Sequence, residues 1–334
     1  MPKKGGDIRK LKEFINFNNQ KTGILLSAWL IGALNPSGSY TILILNGEQG
    51  TAKSTAARIL RSLIDPSVAP LRKLPGNEID LMIAAEHQWV LSFDNLSGLK
   101  QMMSNSLCSL STGVGLSKRM NYSDRDEVIF ESARPIILNG INEITNRGDL
   151  IDRSIIVQFE PIPEDQRKLE SDLWEEFEQA RPGILGAVLD AVSSALKNKD
   201  KVDKKSLPRM ADFARWVMAA EPSLPWSDGL FIDTYNENRK IAKKADVEAD
   251  LVATAIINFL KEEQNPWSGT TTELKDRLEE VQANSTFIYN KSWPKNVSYF
   301  SNRLTKVAPA LRSEGINASR KTIKGSKKWQ VEYI

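Results

Sequence analysis

The chain has 334 residues, 41% of them apolar and 26% charged, and a formal net charge of +3. These values suit a folded globular protein with room for two or three domains, and they fit a disordered or membrane chain poorly. A single cysteine and a single histidine exclude a disulfide framework and a Cys/His zinc site.

Residues 1–21 form a basic lead. Met1-Pro2-Lys3-Lys4-Gly5-Gly6 lacks the apolar stretch and cleavage site of a secretory signal, so a cytoplasmic protein is expected. Asp7 to Phe17 and Thr22 to Leu34 read as helices, with Thr22 as the N-cap of the second. Gly23 to Leu34 is the most apolar helix candidate, and it is far short of the ~20 residues that span a bilayer. It reads as a buried helix, with no membrane partner.

The run Thr41-Ile42-Leu43-Ile44-Leu45-Asn46 then enters Gly47-Glu48-Gln49-Gly50-Thr51-Ala52-Lys53-Ser54-Thr55. This is a strand, a phosphate-sized loop and a helix start. Backbone N–H groups of such a loop converge on an anion, and the helix N-terminus adds its own unsatisfied donors. Lys53 is expected to reach the outer phosphates of ATP and Ser54 to ligate Mg²⁺. Ala52 stands where the usual pattern has a second glycine; it is expected to sit comfortably in right-handed geometry at the helix start. The helix runs from Lys53 to Ile64 and stops at Asp65-Pro66.

After a helix over Asn77 to His87, the run Trp89 to Phe93 is a short strand ending on Asp94-Asn95. Asp94 fits the second acid that a phosphate-loop enzyme needs for Mg²⁺. Asn95 can orient a water but cannot take its proton. Cys108, within an apolar pattern, reads as a small core residue, and His87 as structural. Pro135 to Leu138 is another buried strand, and it places Asn139 between the ends of the phosphate-loop and Asp94 strands, in reach of a γ-phosphate or attacking water. Asn146 to Arg153 precedes the strand Ser154 to Phe159. Arg153, and after it Arg147, is either a catalytic arginine or a local partner of Asp149 or Asp152. Continuous apolar strands of this kind suit a sheet covered on both faces, so residues 22–160 outline a three-layer α/β nucleotide-binding core.

Residues 161–246 are read as a helical lid or connector: Glu164 to Ala180, Pro182 to Lys197, Met210 to Ala220 and Phe231 to Lys244. Residues 247–334 form the last module. From Ser285 onward ten basic residues face two acidic ones, which points to a polyanionic partner. Val247 to Glu263, Thr272 to Leu278 and a helix opened by Ser292-Trp293-Pro294 precede two strands, Ile316 to Ile323 and Lys327 to Ile334. Three helices and a basic hairpin describe a winged helix-turn-helix, with Lys295, Arg303, Lys306 and Lys327 as candidate DNA contacts.

The order of phosphate loop, Asp94 strand, Asn139 strand and Arg153 resembles the AAA+ and superfamily 3 helicase core of phage and mobile-element primase-helicases. Ser111 to Tyr122, followed by Val128-Ile129-Phe130, is similar to the hairpin with which those helicases point basic residues into a DNA channel, here Lys118 and Arg119. The resemblance implies a hexamer or similar ring that moves on single-stranded DNA, with Arg153 acting in the neighbour's site and Arg209 as a lid arginine that senses the γ-phosphate. No polymerase-type acidic cluster precedes the loop, so a primase would be a partner or lie elsewhere. The expected function is an ATP-dependent DNA helicase or translocase in replication of a phage or mobile element. The alternative is an ATP-switched DNA-binding regulator, or a loader, that unwinds nothing.

Overall fold

The computed structural model describes the chain apart from residues 114–115, 120–126, 131–132, 141–147, 204, 206, 264, 282–289, 291–292 and 324–325. Arg147, Ser292 and the tip of the 116–130 hairpin therefore lie outside the described residues. The chain divides into two compact units, Met1–Arg239 and Lys240–Ile334.

The first unit is built on a four-stranded parallel sheet of β1 (Ile42–Gly47), β2 (Leu91–Leu96), β5 (Ile136–Gly140) and β6 (Ser154–Phe159), in the order β2-β5-β1-β6. Period-two alternation sends its side chains to two separate cores. Leu43, Leu45, Ile137, Ile155 and Val157 pack with α1 (Gln20–Ala33), α2 (Lys53–Ile64), α6 (Glu170–Asn198) and α7 (Ala211–Ala220). Ile42, Ile44, Phe93, Ile136 and Leu138 pack with α3 (Glu78–His87), α4 (Gln101–Thr112) and the short α5 (Gly148–Ile151). The result is three layers, with a parallel sheet buried on both faces. Two further strands, β3 (Leu116–Arg119) and β4 (Glu127–Phe130), form a separate antiparallel pair.

Several boundaries differ from the sequence reading. Residues Ile8–Glu13 form a 3-10 turn rather than a long helix, opened by the Asp7 side chain. The N-cap of α1 is Asn19, whose side-chain oxygen accepts from the Thr22 amide at 2.8 Å, so Thr22 lies inside the helix. The two helices expected on either side of Pro182 are one 29-residue helix, α6. Its Pro182 carbonyl accepts from the Lys3 amide at 2.7 Å, and a Cβ on Gly186 would fall 1.7 Å from the Lys3 carbonyl oxygen. The basic lead is thus laid against α6 where only glycine admits it.

The second unit contains α9 (Leu251–Glu263), α10 (Thr271–Val281) and α11 (Val297–Ser313), with β7 (Trp267–Gly269), β8 (Ile316–Ile323) and β9 (Ser326–Tyr333) in an antiparallel sheet of order β7-β9-β8. The helix α8 (Leu230–Ala249) contains the division between the units. Thr270 and Glu273 cap α10 reciprocally, at 3.2 and 2.7 Å, which satisfies two of its free amides. The third helix opens at Asn296, whose side chain accepts from the Tyr299 amide, and not at Ser292; it also continues through Pro309, which lies on its exposed side. The short strand β7 was not anticipated.

Candidate nucleotide site

Strand β1 delivers the chain to Gly47 at its C-terminal end. A Cβ there would lie 2.7 Å from the Phe159 carbonyl oxygen and 3.0 Å from the Thr51 hydroxyl, so only glycine lets the loop turn this close to β6. Glu48, Gln49 and Gly50 are exposed, whereas Thr51 and Lys53 are buried. The Thr51 hydroxyl donates to the Glu48 carbonyl at 2.9 Å, and the Lys53 ammonium donates to the same carbonyl at 2.6 Å and to the Thr51 hydroxyl at 3.0 Å. Burial lowers the Lys53 pKa, and the nearby Asp94 charge opposes that shift. An ammonium folded onto the loop's own oxygens and poorly solvated is well placed to exchange them for phosphate oxygens.

Ala52 does not keep right-handed geometry. It is the N-cap of α2, with φ 60° and ψ 27°, in the left-handed region. The chain must turn there to bring the Lys53 and Ser54 amides to the helix start, and an alanine in that region costs ~1–2 kcal/mol.

The second strained residue is Asn95, at φ 58°. Strand β2 follows the register of β5 as far as Phe93, then slips before Leu96, so Asp94 and Asn95 sit in a bulge. Bulges re-aim side chains, and this one turns the Asp94 carboxylate onto Ser54. The Ser54 hydroxyl lies 3.1 and 3.2 Å from the two Asp94 oxygens, and the Asn139 amide donates to it at 3.1 Å. Asn139 is 2% exposed, on β5 between β1 and β2. The loop, Ser54, Asp94 and Asn139 are therefore brought together as one connected group. Thr55 follows Ser54 on the first turn of α2.

Asn16 belongs to this neighbourhood without any sequence signal. Its amide donates to the Glu160 carbonyl at 2.7 Å and approaches the Thr51 carbonyl at 3.4 Å. It ties the N-terminal lead to the phosphate loop and to the end of β6.

Arg153 and Arg209 are elsewhere. Arg153 immediately precedes β6, and its carbonyl accepts from the Ile42 amide at the beginning of β1. Gly47, by contrast, is level with Phe159 at the other end of β6. Five residues of strand separate the two levels, about 17 Å at ~3.3 Å per residue. The Asp149 carboxylate pairs with Arg153 at 2.5 Å and with Arg209 at 2.9 Å, while Asp152 pairs with Arg239 at 3.3 Å and Arg209 at 3.8 Å. Arg209 is thus not brought to its own chain's phosphate loop, as a sensing role within one chain requires. Burial pushes the Asp149 carboxyl up, but Arg153 and Arg209 outweigh it and hold it below the ordinary value. The Cys108 thiol abuts the same carboxylate, and burial together with that charge pushes its pKa up to about 11. Asp149, Asp152 and Arg239 complete a cluster in which only the Arg153 pairing had a sequence signal, its four-residue spacing from Asp149.

Among the described residues no group of three or more His, Cys, Asp or Glu side chains is placed to hold a metal ion, and no helix is long and apolar enough to cross a membrane. A Mg²⁺ ion at this site would be held by Ser54, Asp94 and phosphate oxygens.

The sequence profile of the actinomycete integrative conjugative element replication proteins matches residues 8–224, and that of the AICE RepA C-terminal domain matches residues 252–333. The chain belongs to this family. It is a replication protein of a mobile element. No curated protein matches it. Among solved structures, the NrS-1 C-terminal region in its A-form apo structure aligns over 100% of this chain and 77% of its own, at 12% identity and a TM-score of 0.47. A JCV helicase with a substituted phenylacetamide compound bound aligns over 70% of each chain, at 14% identity and a TM-score of 0.32.

In the RepA C-terminal domain the four candidate DNA contacts divide. Lys295, Lys306 and Lys327 are exposed. Arg303 is also exposed, at 47%, but it is paired with Asp250, whose carboxylate is 6% exposed and also accepts from the Val252 and Ala253 amides at the start of α9. It holds two helices together rather than standing free. In the RepA core, Lys118 and Arg119 lie on β3 opposite Val128 and Glu127, and their side chains lie outside the described residues.

Proposed function

We propose that this RepA protein is an ATP-driven motor on DNA, the helicase or translocase of its element's replication apparatus, with an AAA+-type core and a winged-helix C-terminal domain. The observation that carries the reading is the group formed by Lys53, Ser54, Asp94 and Asn139 at the C-terminal ends of three adjacent strands. It supplies a cation for the outer phosphates, a hydroxyl and carboxylate for Mg²⁺, and a buried amide for the γ-phosphate or the attacking water. Bound Mg²⁺-ATP would supply the transferable phosphoryl group; the loop, Lys53 and the α2 amides orient it and neutralise its charge.

The remote arginines fit a shared site. An arginine some 17 Å along the sheet from its own loop serves catalysis only in a neighbouring copy. Head-to-tail contacts that deliver Arg153 and Arg209 to the next loop are heterologous, and they close into a hexamer or similar ring if the rotation permits. Within that ring the β3–β4 pair would carry Lys118 and Arg119 toward single-stranded DNA, and a separate primase would complete the apparatus.

The test is ATP hydrolysis and fork unwinding with and without single-stranded DNA, for wild type, Lys53→Ala and Arg153→Ala. Stimulation by DNA, with loss in both variants and partial poisoning when Arg153→Ala chains are mixed into wild type, is expected. No stimulation together with full turnover in Arg153→Ala would overturn the motor. A second reading, an ATP-switched DNA-binding regulator or loader, is favoured by Asn95, which offers no carboxylate to accept a proton from water. It predicts nucleotide-dependent DNA affinity with negligible turnover.

A further inference from the structure

The second unit presents a surface that the nucleotide chemistry does not use. On α11, Phe300, Leu304, Val307, Ala308 and Leu311 are buried, which commits one face to the core. Tyr299, Asn302 and Lys306 are exposed on the helix, and Lys295 is exposed one residue before its Asn296 cap. Steps of three and four residues align Tyr299, Asn302 and Lys306 in one stripe.

The chemistry of the stripe is uneven. Tyr299 leaves 70% of its surface in solvent. Its neighbour Arg303 is drawn away by Asp250, and Arg320 of β8 is engaged by Ser301 and lies over the Trp329 ring, 4.9 Å from its centroid. A phenol ring and a carboxamide therefore lie between Lys295, which precedes the helix, and Lys306, with Lys321 and Lys327 exposed on the hairpin strands. A surface made only for phosphates needs cations; it has no use for a solvated aromatic ring and an amide at its centre.

We infer that α11 reads base pairs in a specific duplex DNA site, Asn302 through its amide and Tyr299 through its ring and hydroxyl, while the flanking lysines hold phosphates. A carboxamide matches the adjacent donor and acceptor of adenine in the major groove. A helix of ~10–12 Å diameter fits a groove ~12 Å wide. The ten-to-two excess of basic residues over the last fifty positions supplies the complementary charge. This inference rests on the reading of the protein as DNA-binding, but it concerns a duplex site separate from the strand on which the motor would move.

The full chain is used to select from a pool of duplexes with a randomised core, and the recovered duplex is compared with a shuffled one at several salt concentrations. An enriched motif is expected, bound at least ~100-fold more tightly than the shuffled duplex. Asn302→Ala and Tyr299→Ala should each reduce that preference by about tenfold and leave the salt dependence unchanged. Lys306→Ala should weaken all duplexes alike and reduce the slope of log affinity against log salt by about 1. Melting curves of the variants, all at exposed positions, should match wild type. The inference is overturned if no motif is enriched, if Asn302→Ala weakens every duplex equally, or if Tyr299→Ala affects only single-stranded DNA. DNA-stimulated ATP hydrolysis by the same preparations separates the two failures, because a working motor with no preferred duplex defeats this inference alone.

Discussion

At the C-terminal ends of the sheet strands, a serine, an aspartate and an asparagine meet through contacts of 3.1 to 3.2 Å, beside a lysine folded onto the Glu48 carbonyl at 2.6 Å, with Lys53 and Asn139 buried. At the N-terminal ends, three arginines meet two aspartates, and Asp149 is 54% exposed. One end is connected and strained, with left-handed backbone at Ala52 and Asn95. The other is ionic and held by pairs that a competing anion can replace. The difference fits a receiving site, whose geometry must be ready before the ligand arrives, opposite a donating site, whose charges must be free to change partner.

That contrast is sharpest in turnover. Arg153→Ala should lower ATP hydrolysis by ~10³-fold, the lower range for an arginine acting on a transferring phosphoryl group, while ATP affinity of the dispersed chain stays within about twofold. Equal loss of affinity and turnover would show that the two ends act as one site within a chain. Asn139→Ala should lower turnover by ~10²-fold, as removal of a single positioned donor commonly does, and should do so even in assemblies where every Arg153 is intact.

Stability offers smaller tests. Ala52→Gly relieves the left-handed Cβ contact at a modest entropic cost, so the melting temperature should rise by the equivalent of about 1 kcal/mol or less. A fall would mean that the methyl group packs usefully in the loop. The smallest effect concerns Asp149, whose lowered pKa means that its pairs stabilise the fold above the ordinary carboxylate range and are lost as pH falls through the lowered value. Asp149→Asn should therefore melt earlier than wild type near neutrality by well under ~1 kcal/mol, since the carboxylate is half exposed. That gap should close toward the acid end of a pH series. A gap that widens in acid would show that another group holds the arginines.

Much of the core was legible because its signals are short-range. The span of α2 and that of β6 follow from an apolar run bounded by loop and turn residues, and Asn139 falls beside the loop strand because its own strand is uniformly apolar. Signals that depend on tertiary partners were not legible. Pro182 reads as a break, yet α6 passes through it, and the basic lead packs there with the Lys3 amide on the Pro182 carbonyl. Arg303 reads as a free cation on a basic helix; the carboxylate that claims it lies 53 positions earlier in the chain. Arg209 looks like a lid residue in sequence, and only the polarity of the sheet shows which end it attends.

The backbone at Asn95 also constrains how this candidate site can change. Placing a carboxylate there is more than a side-chain exchange, because glutamate disfavours the left-handed conformation that asparagine tolerates. On the proposed reading, a lineage seeking faster hydrolysis would have to rebuild the bulge that aims Asp94, and so risk the proposed metal ligand to gain a base. The easier route leaves position 95 alone and recruits a proton acceptor from another segment.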